Sequence, residues 1–335
     1  MIQAAIQTLV GGDNLDISTI TEVMSDIMSG KTTDAQIGAF LIALRLKGET
    51  TEEIAGCARV MREKATSIVP KRKDLVDTCG TGGDGSGTFN ISTTVAFVVA
   101  GAGLGVAKHG NRAMSSNCGS ADVLAELGFN LDCSPERVAE SIDEVGIGFL
   151  FAPALHGAMK HAIGPRREIG IRTVFNVLGP LTNPAGAPCQ LIGVYAPELT
   201  EKLAGVLKHL GAERALIVHG ADGLDEITLT GSSRVSQLIN GKIETMEIHP
   251  AEFGIKQSDL TEIKGGDAAT NAKILCEILD GSLGPKRDIV LLNAAAALVA
   301  GGLSMSLSEG VERAREAIDD GSARKTLDSF IKMSY

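Results

Sequence analysis

The sequence lacks an excess of positive charge. Its 335 residues include 31 Lys and Arg against 41 Asp and Glu, which gives a formal net charge of −10. Proteins that bind nucleic acid normally present a basic face, so this balance argues against a nucleic-acid partner. A small phosphorylated ligand remains compatible, because charges beyond about 8 Å are largely screened and a few local cations can attract it.

Paired cysteines are missing as well. The six cysteines are scattered, without a C-x-x-C pair or a histidine at zinc-finger spacing. This argues against a disulfide framework and favours reduced thiols. The first residues lack a basic segment followed by a long apolar one, so no signal peptide is visible. We therefore expect a cytoplasmic protein.

One uncharged stretch near the C-terminus raises the question of a membrane span. Residues 289–307 carry no charge over a length that could cross a bilayer. Asn293, two glycines and two serines interrupt this stretch, and alanine is as common in it as leucine. A buried core helix that ends at Gly301–Gly302 is the better interpretation, and we expect no membrane partner.

The first seventy residues predict helices. Thr19-x-x-Glu22, Thr33-x-x-Gln36 and Thr50-x-x-Glu53 each have the form of a capping box before an apolar periodic run, and Gly48 is typical of a helix end. Since no strand pattern separates these helices, residues 1–70 are expected to form a small all-α domain.

After Pro70 the pattern changes to alternating strands and helices. Strands are predicted at 75–77, 103–107, 149–151, 191–195, 215–219 and 289–292, with helices such as 135–145 and 199–210 between them. Such alternation predicts a central, mainly parallel sheet flanked by helices. We expect a larger α/β domain over 71–335, with the helical domain packed on it and joined by a returning segment near 156–188.

The stretch from Asp77 to Thr94, DTCGTGGDGSGTFNISTT, carries the strongest functional signal. Glycine accepts positive φ, so successive backbone N–H groups can turn toward one anion, and a following helix N-terminus adds partial positive charge. The pattern predicts a phosphate-binding loop. Gly80-x-Gly82-x-x-Gly85 also fits a dinucleotide fingerprint, but no Asp or Glu between Thr88 and Ala121 could hold a ribose, and no G-K-S/T ends the loop.

A second cluster, KHGNRAMSSNCGS, occupies residues 108–120. Lys108 and Arg112 can neutralise phosphate oxygens, while the hydroxyl and amide side chains fix orientation. Two unit charges about 4 Å apart attract by about 4 kcal/mol at an effective dielectric constant of 20. This local cluster can therefore outweigh the overall acidity of the chain.

Two further motifs supply charged groups. Asp225 and Glu226 follow a predicted strand, and adjacent carboxylates there suit Mg²⁺, although an exposed acidic turn would look similar in isolation. Arg166, Arg167 and Arg172 lie close together in GPRREIGIRT. Because the guanidinium fork matches carboxylates, one of them could bind an acidic substrate and the others could hold interdomain ion pairs.

Together these segments resemble the anthranilate phosphoribosyltransferases of tryptophan biosynthesis. The similarity runs nearly end to end and includes LIALRLKGET, DTCGTGGDGSGTFNIST, KHGNRAMSSNCGSADVLAELG, GPRREIGIRTVFNVLGPLTNPA, GLDEI and NAAAALVAGG. It implies a helical domain hinged to an α/β domain, and a homodimer through the helical domain. It also implies Mg²⁺-dependent transfer of the phosphoribosyl group from 5-phosphoribosyl 1-diphosphate (PRPP) to anthranilate, with release of pyrophosphate.

The resemblance also implies site residues. Those expected at PRPP are Gly80, Gly83, Asp84, Thr88, Asn90, Ile91, Ser92, Thr93, Lys108, His109, Gly110, Asn111, Arg112, Ala113, Met114, Ser115, Ser116 and Ser120. Those expected at anthranilate are Gly80, Asn111 and Arg166, with His156 in the same tunnel, and those at Mg²⁺ are Ser92, Asp225 and Glu226. Many relatives carry lysine where Asn117 stands, so Asn117 is left out of the PRPP contacts.

The chemistry implied by the resemblance needs no general base, because the aromatic amine of anthranilate is already neutral at pH 7. The difficult step is the departure of pyrophosphate while positive charge builds on the ribose, so a metal ion and the positioning of both substrates are the main contributions. Three rivals remain: a pyrimidine-nucleoside phosphorylase of the same fold, a non-catalytic paralogue that binds nucleic acid, and an NAD-dependent oxidoreductase. KHGNR and the Asp225–Glu226 pair favour the diphosphate donor.

Overall fold

The computed structural model describes residues 1–113 and 118–335. The N-terminal part is helical, as predicted, with α1 (Ile2–Val10), α2 (Ile17–Met28), α3 (Asp34–Lys47) and α4 (Thr51–Lys64). The capping boxes at Thr33 and Thr50 are confirmed. The one at Thr19 is wrong, because Asp16 caps α2 and accepts the Thr19 N–H at 2.8 Å.

The following residues alternate between strands and helices. The strands are β1 (Leu75–Asp77), β2 (Gly105–Gly110), β3 (Ile147–Phe151), β4 (Cys189–Gly193), β5 (Arg214–Gly220), β6 (Ser233–Ile239) and β7 (Lys242–Ile248). The helices are α5 (Ile91–Gly101), α6 (Ser120–Glu126), α7 (Pro135–Val145), α8 (Ala152–Leu155), α9 (Lys160–Ile169), α10 (Phe175–Leu178), α11 (Glu198–His209), α12 (Ala268–Leu279), α13 (Pro285–Ala300), α14 (Leu307–Asp319) and α15 (Ser322–Met333).

All seven strands form one sheet in the order β3-β2-β1-β4-β5-β6-β7. The first five strands in this order are parallel, and β6 and β7 continue the sheet as an antiparallel hairpin. The mainly parallel α/β sheet is therefore confirmed. From β1 the chain crosses to β2 on one side, whereas β4 lies on the other, so a crevice opens between the carboxyl ends of β1 and β4.

One predicted strand is wrong, and two observed strands were not predicted. The strand predicted at 289–292 is wrong, because these residues lie inside α13, where every position from Ile289 to Ala300 is buried. The buried core helix predicted for the same region is confirmed, and it ends at the Gly301–Gly302 pair. The hairpin of β6 and β7 was not predicted. It turns at Asn240 and Gly241, which have φ of 52° and 73°. No helix in the described ranges is both long and apolar enough to cross a membrane.

The two faces of the sheet bury different cores. Leu191 of β4 and Leu216 and Val218 of β5 pack into a cluster that includes α5, α13, α14 and α15. Ile192 and Ile217, one position along each strand, pack instead with α1 to α4, α10 and α11. This alternation is the period of two that a strand imposes on its side chains. It places α11 against one face of the sheet, and α4 of the N-terminal part packs on α11.

Candidate active site

The glycine-rich loop lies at the crevice between β1 and β4. It leaves β1 after Asp77, and its Thr81 N–H donates to the carbonyl oxygen of Gly193, at the end of β4, at 2.8 Å. Gly193 must be glycine, because an added Cβ would lie 1.5 Å from the backbone oxygen of Asp225. The loop and the acidic pair are therefore packed against each other at the end of one strand.

The backbone of the loop has the conformation that its glycines predict. Gly82, Gly83, Gly85 and Gly87 all have positive φ, between 66° and 79°. L-residues with a side chain rarely adopt this region, so the path of the loop depends on these glycines. Gly80 is required for a different reason, since a Cβ there would lie 2.8 Å from Asp225 Oδ2.

Two cations bind carbonyl oxygens of the loop from elsewhere in the chain. Arg172 Nη2 donates to the Gly83 carbonyl, and Lys264 Nζ donates to the Ser86 carbonyl at 2.6 Å. Lys264 also forms an antiparallel bridge with Thr88, and the next residue, Gly265, donates its N–H to the Gly87 carbonyl at 3.0 Å. The outward carbonyls are thus satisfied by side chains and backbone that lie far away in sequence.

The loop continues into α5, whose first turn is expected to bind phosphate. The side chain of Asn90 precedes this helix but makes no capping bond to it. Its Nδ2 donates to the Cys118 carbonyl at 3.1 Å, and its Oδ1 accepts from Asn271 Nδ2 at 3.0 Å. An N-terminus without a side-chain cap retains N–H groups for an anion. Within the described residues, the buried Thr93 Oγ1 also has no hydrogen-bond partner.

Lys108 lies on the floor of the crevice and is 3% exposed. Its Nζ donates to the Thr78 carbonyl at 3.0 Å and to Ser92 Oγ at 3.4 Å. Burial lowers the pKa of Lys108, while the nearby groups Cys79, Asp77 and Glu226 oppose this shift. A buried ammonium group beside the first turn of α5 concentrates positive charge where the phosphate is predicted.

Asp77 supports the same floor. Its Oδ1 accepts the His109 N–H at 3.1 Å, and its Oδ2 accepts from Asn183 Nδ2 at 2.7 Å. Burial raises the pKa of Asp77 to about 6. Asp77, Cys79 and His109 bring potential ligand atoms within 4.8 Å of one another. Protein hydrogen bonds already occupy the Asp77 and His109 atoms, and burial raises the pKa of Cys79, so this group fits a packed floor better than a metal centre.

His109 and His156 form a buried pair of imidazoles. Their Nε2 atoms lie 3.1 Å apart, and His109 Nδ1 lies 3.1 Å from the Gly179 carbonyl. Because a carbonyl only accepts, His109 Nδ1 carries the proton, and His156 Nε2–H donates to the neutral His109 Nε2. Burial and then His156 lower the pKa of His109 to about 3, and burial lowers the pKa of His156. The pair is neutral near pH 7.

Three carboxylates crowd the opposite side of the loop. Asp225 Oδ2 accepts the Gly82 N–H at 2.7 Å. Burial raises the pKa of Asp225 to about 7, and the charge of Asp84 adds to this shift. Burial and then the charge of Asp225 raise the pKa of Glu226 well above its usual value. The buried Asp84 Oδ2 has no hydrogen-bond partner among the described residues. Crowded hard oxygen donors with one unsatisfied oxygen fit a divalent cation such as Mg²⁺.

The three arginines of the returning segment have different surroundings. The guanidinium carbon of Arg166 lies 4.9 Å from the centre of the Phe175 ring, and burial lowers the pKa of Arg166. Arg172 lies over Tyr195 and binds the loop, whereas Arg167 is exposed. Within residues 1–113 and 118–335 none of the three forms an ion pair, so the predicted interdomain ion pairs are wrong.

The segment after β2 folds back on α6. Asn111 and Ser120 exchange hydrogen bonds at 3.2 Å, and Arg112 pairs with Asp122 at 2.9 Å. Gly110 permits this close approach, because an added Cβ would lie 2.3 Å from Ser120 Oγ. The remaining predicted contacts Met114, Ser115 and Ser116, together with Asn117, lie outside the described residues.

Sequence reasoning missed several residues that shape this site. Asn183 donates to Asp77, and Asn271 donates to Asn90. Tyr195 lies against Arg172, and Lys264 binds the glycine loop at Ser86. Only Lys264 has a local signal, since two glycines and a helix-capping Asp267 follow it. The others carry no sequence pattern because their partners lie far away along the chain.

Comparison with known families agrees with this geometry. Residues 3–65 match the model described as "Glycosyl transferase family, helical bundle domain", and residues 72–324 match "Glycosyl transferase family, a/b domain". The fold and the phosphate-type site therefore define a glycosyl transferase with these two domains. The exact boundary predicted at residues 70 and 71 stays a prediction.

Individual relatives narrow the assignment. Anthranilate phosphoribosyltransferase of Geobacter sulfurreducens is 56% identical, and the match covers 100% of this chain and 99% of the relative. The crystal structure of the enzyme from Thermus thermophilus is 44% identical with a TM-score of 0.94, over 98% of this chain and 99% of that chain. The Saccharomyces cerevisiae enzyme in complex with PRPP and Mg is 30% identical with a TM-score of 0.91, over 99% and 97%. The chain belongs to the anthranilate phosphoribosyltransferase family.

Proposed function

We propose that the chain transfers the phosphoribosyl group of PRPP to the amine of anthranilate, which gives N-(5-phosphoribosyl)anthranilate and pyrophosphate. This is the second step from chorismate to tryptophan. The observation that carries the proposal is the meeting of three features at one edge of the sheet: the glycine loop, the buried Lys108 and the Asp225–Glu226 pair. Each feature suits one part of a sugar bearing a phosphate and a diphosphate.

PRPP is held, in this proposal, by the loop, the first turn of α5 and the segment that begins at Lys108. Backbone N–H groups of the loop bind diphosphate oxygens, and the uncapped start of α5 binds the phosphate. Lys108 adds its charge from below through its contact with Ser92 Oγ. The complex of the Saccharomyces cerevisiae enzyme with PRPP and Mg supports this part of the proposal.

Mg²⁺ would be held by Asp225, Glu226 and Ser92, and Asp84 lies beside them with one unsatisfied oxygen. When bound there, the ion would supply positive charge against the oxygens of the departing diphosphate. The protein side chains have a separate task, since Asp225 also accepts the Gly82 N–H and so ties the acidic loop to the glycine loop. A shift in the conformation of one of these loops should therefore also shift the other.

Anthranilate binds, in this proposal, between the loop and the returning helical segment. Arg166 forms no ion pair among the described residues, so its guanidinium is available for the carboxylate of anthranilate, and its contact with the Phe175 ring helps to hold it in place. Asn111 and the Gly80 backbone complete the predicted contacts, with the His109–His156 pair behind them. These imidazoles are neutral, so they orient rather than protonate, and no residue is assigned as a general base.

Most of the rate enhancement then comes from positioning. Holding two substrates in line can contribute about 7–11 kcal/mol of the barrier. The helical part and the sheet contribute opposite sides of the site, so their closure would exclude water from the activated sugar. We also propose a cytoplasmic homodimer formed through the helical domain, with residues 156–188 belonging to that domain.

The test is a fluorescence assay of anthranilate consumption with PRPP, Mg²⁺ and the purified chain. Activity that EDTA abolishes and added Mg²⁺ restores is the expected result. Thymidine with inorganic phosphate serves as the parallel substrate pair of the nucleoside phosphorylase. Phosphorolysis of thymidine without consumption of anthranilate would contradict the proposal.

A further inference from the structure

Arg172 lies where three parts of the molecule meet. It follows α9, which ends at Ile169 with Gly170 as its C-cap and packs against α2 and α3. Its guanidinium crosses to the α/β part, where Nη2 donates to the Gly83 carbonyl and Cζ lies 4.1 Å from the centre of the Tyr195 ring. One side chain therefore joins the returning helical segment, the glycine loop and the residues that follow β4.

The contact acts on a peptide group that the ligand is expected to use. Gly83 has φ of 79°, and a Cβ added there would lie 3.4 Å from Arg172 Nη2. Because a trans peptide is planar, its C=O and N–H point in opposite directions. A Gly83 carbonyl that faces Arg172 therefore turns the Asp84 N–H toward the opposite face of the loop.

We propose that Arg172 is a positioning residue that fixes the Gly83–Asp84 peptide for the diphosphate donor. Since Arg172 is carried by the segment that packs on the N-terminal helices, the shape of the loop then depends on how that segment is seated. The ligand named here rests on the proposed function, whereas the contact between Arg172 and the loop does not.

The surroundings of the two arginines separate this role from substrate binding. The Arg172 guanidinium already contacts a carbonyl oxygen and an aromatic ring. Arg166 contacts the Phe175 ring, and its guanidinium edge is the one proposed to bind the substrate carboxylate. Hydrogen bonds to charged groups are worth more than neutral ones, and loss of one is enough to change a binding constant about tenfold. That is the effect expected from Arg172 through the loop.

Hydrogen exchange of the free protein tests the contact without any substrate. In Arg172→Ala the amides of residues 80–88 should exchange about tenfold faster than in the wild type, whereas those of β2 should not change. Arg172→Lys, which keeps one donor but loses the planar stacking, should give a smaller increase. Arg315→Ala, in an exposed pair with Glu312 on α14, is the matched control and should change neither region. Unchanged exchange at 80–88 in Arg172→Ala would overturn the proposal.

Steady-state kinetics then test the consequence for the ligand. Arg172→Ala should raise the KM for PRPP about tenfold and leave the KM for anthranilate within about twofold. A larger rise for anthranilate, with normal exchange of the loop, would instead make Arg172 a contact of the acceptor. If the wild type does not use PRPP and anthranilate at all, the proposed function fails, and the exchange result still decides the role of Arg172.

A matched pair at Tyr195 separates stacking from hydrogen bonding. Tyr195→Phe keeps the ring beneath the guanidinium and should leave loop exchange unchanged. Tyr195→Leu removes the ring face and should raise exchange at 80–88, by less than Arg172→Ala does. Equal amide exchange at residues 80–88 in the two Tyr195 variants would show that the ring does not help Arg172 to position the loop.

Discussion

The floor and the rim of the site are built in different ways. The floor consists of Asp77, Lys108 and His109 on the adjacent parallel strands β1 and β2, and these residues are 0%, 3% and 4% exposed. The rim is the loop of residues 80–88, which is partly exposed and has four glycines with positive φ. Formation of the sheet fixes the floor, whereas the rim takes its shape from side chains contributed by other segments.

The residues of the rim bond to side chains that lie far away along the chain. Gly83, Gly82 and Ser86 of the rim bond to side chains that lie 89, 143 and 178 positions away. Such contacts form only after distant parts of the chain have packed, and they are exposed to water. The rim is therefore the part of the site whose shape can respond to the seating of the helical domain, and the floor is the part that cannot.

The largest effect is expected where the acidic loop meets the rim. Asp225→Asn combined with Glu226→Gln should lower kcat/KM by about 10³ at saturating Mg²⁺, because it removes the predicted metal ligands. Without Mg²⁺ the same variant should melt at a higher temperature than the wild type, since neutral amides replace two crowded carboxyl groups that repel each other when ionised. The exposed pair Asp259→Asn and Glu262→Gln is the matched control. Wild-type kinetics in the first variant would remove the metal assignment.

The next effect concerns the floor and depends on pH. The pKa of His109 is about 3 in the folded chain against 6.5 for the free side chain, because burial disfavours the cation. As the pH falls below 6.5, this histidine binds a proton in the unfolded state but not in the folded state, so the free energy of unfolding decreases. His109→Gln abolishes this loss, and its stability deficit against the wild type should shrink by about 1.4 kcal/mol per pH unit between pH 6 and 4.

Urea unfolding of the wild type and of His109→Gln at pH 7, 6, 5 and 4 provides the measurement. Asp77, Lys108 and His156 face His109, and Asp77 has the opposite pH dependence because its pKa is raised to about 6. These groups are present in the wild type and in the variant, so their contributions largely cancel in the difference between the two unfolding free energies. The exposed His209→Gln is the control. A deficit that does not vary with pH would show that His109 is not a buried neutral floor residue.

Arg166 tests whether the acceptor side is independent of both regions. Arg166→Ala should raise the KM for anthranilate about 30-fold, since a charge-assisted pair with the carboxylate is lost, and change the KM for PRPP less than about twofold. Arg166→Lys keeps the charge but not the fork and should lie between. Steady-state kinetics with each substrate varied in turn would measure this. Equal changes for both substrates would reassign Arg166 to the shape of the whole site.

The smallest effect is expected at the exposed cation of the rim. Lys264→Ala should raise the KM for PRPP about threefold, because its side chain offers one exposed hydrogen bond to the Ser86 carbonyl, whereas the equally exposed Arg172 is also held by the Tyr195 ring. Lys273→Ala, an exposed lysine of α12, is the control. A rise of tenfold or more in kinetic assays would mean that Lys264 contacts the ligand directly, and the rim would then need a different description.

Much of this fold could be predicted because its signals are local. The short β1 and the helix over 135–145 are found where predicted, and two of the three capping boxes are confirmed. The failures have physical causes. An apolar run such as 289–292 suits a buried strand and a buried helix equally, and only the packing of α13 decides between them. The β6–β7 hairpin did have a local signal, the Asn240–Gly241 dipeptide between its two strands, which sequence reasoning missed, whereas its place beside β5 depends on pairing with a distant segment.

The candidate site divides in the same way. Its four motifs could be predicted, because glycine, lysine, arginine and carboxylate residues of the right kind are adjacent in sequence. The surroundings that give each residue its role could not. Nothing in GPRREIGIRT distinguishes Arg166, stacked on Phe175, from Arg172, bound to Gly83, until the chain has folded.

The hairpin of β6 and β7 offers an attachment point for a reporter. Gly220, at the carboxyl end of β5, pairs with the first residue of β6, and Arg214, at the other end of β5, pairs with its last residue. The Asn240–Gly241 turn therefore projects from the edge of the sheet opposite the crevice. A fluorescent label or a short peptide inserted there would follow the motion of the larger domain while leaving every substrate-facing group untouched.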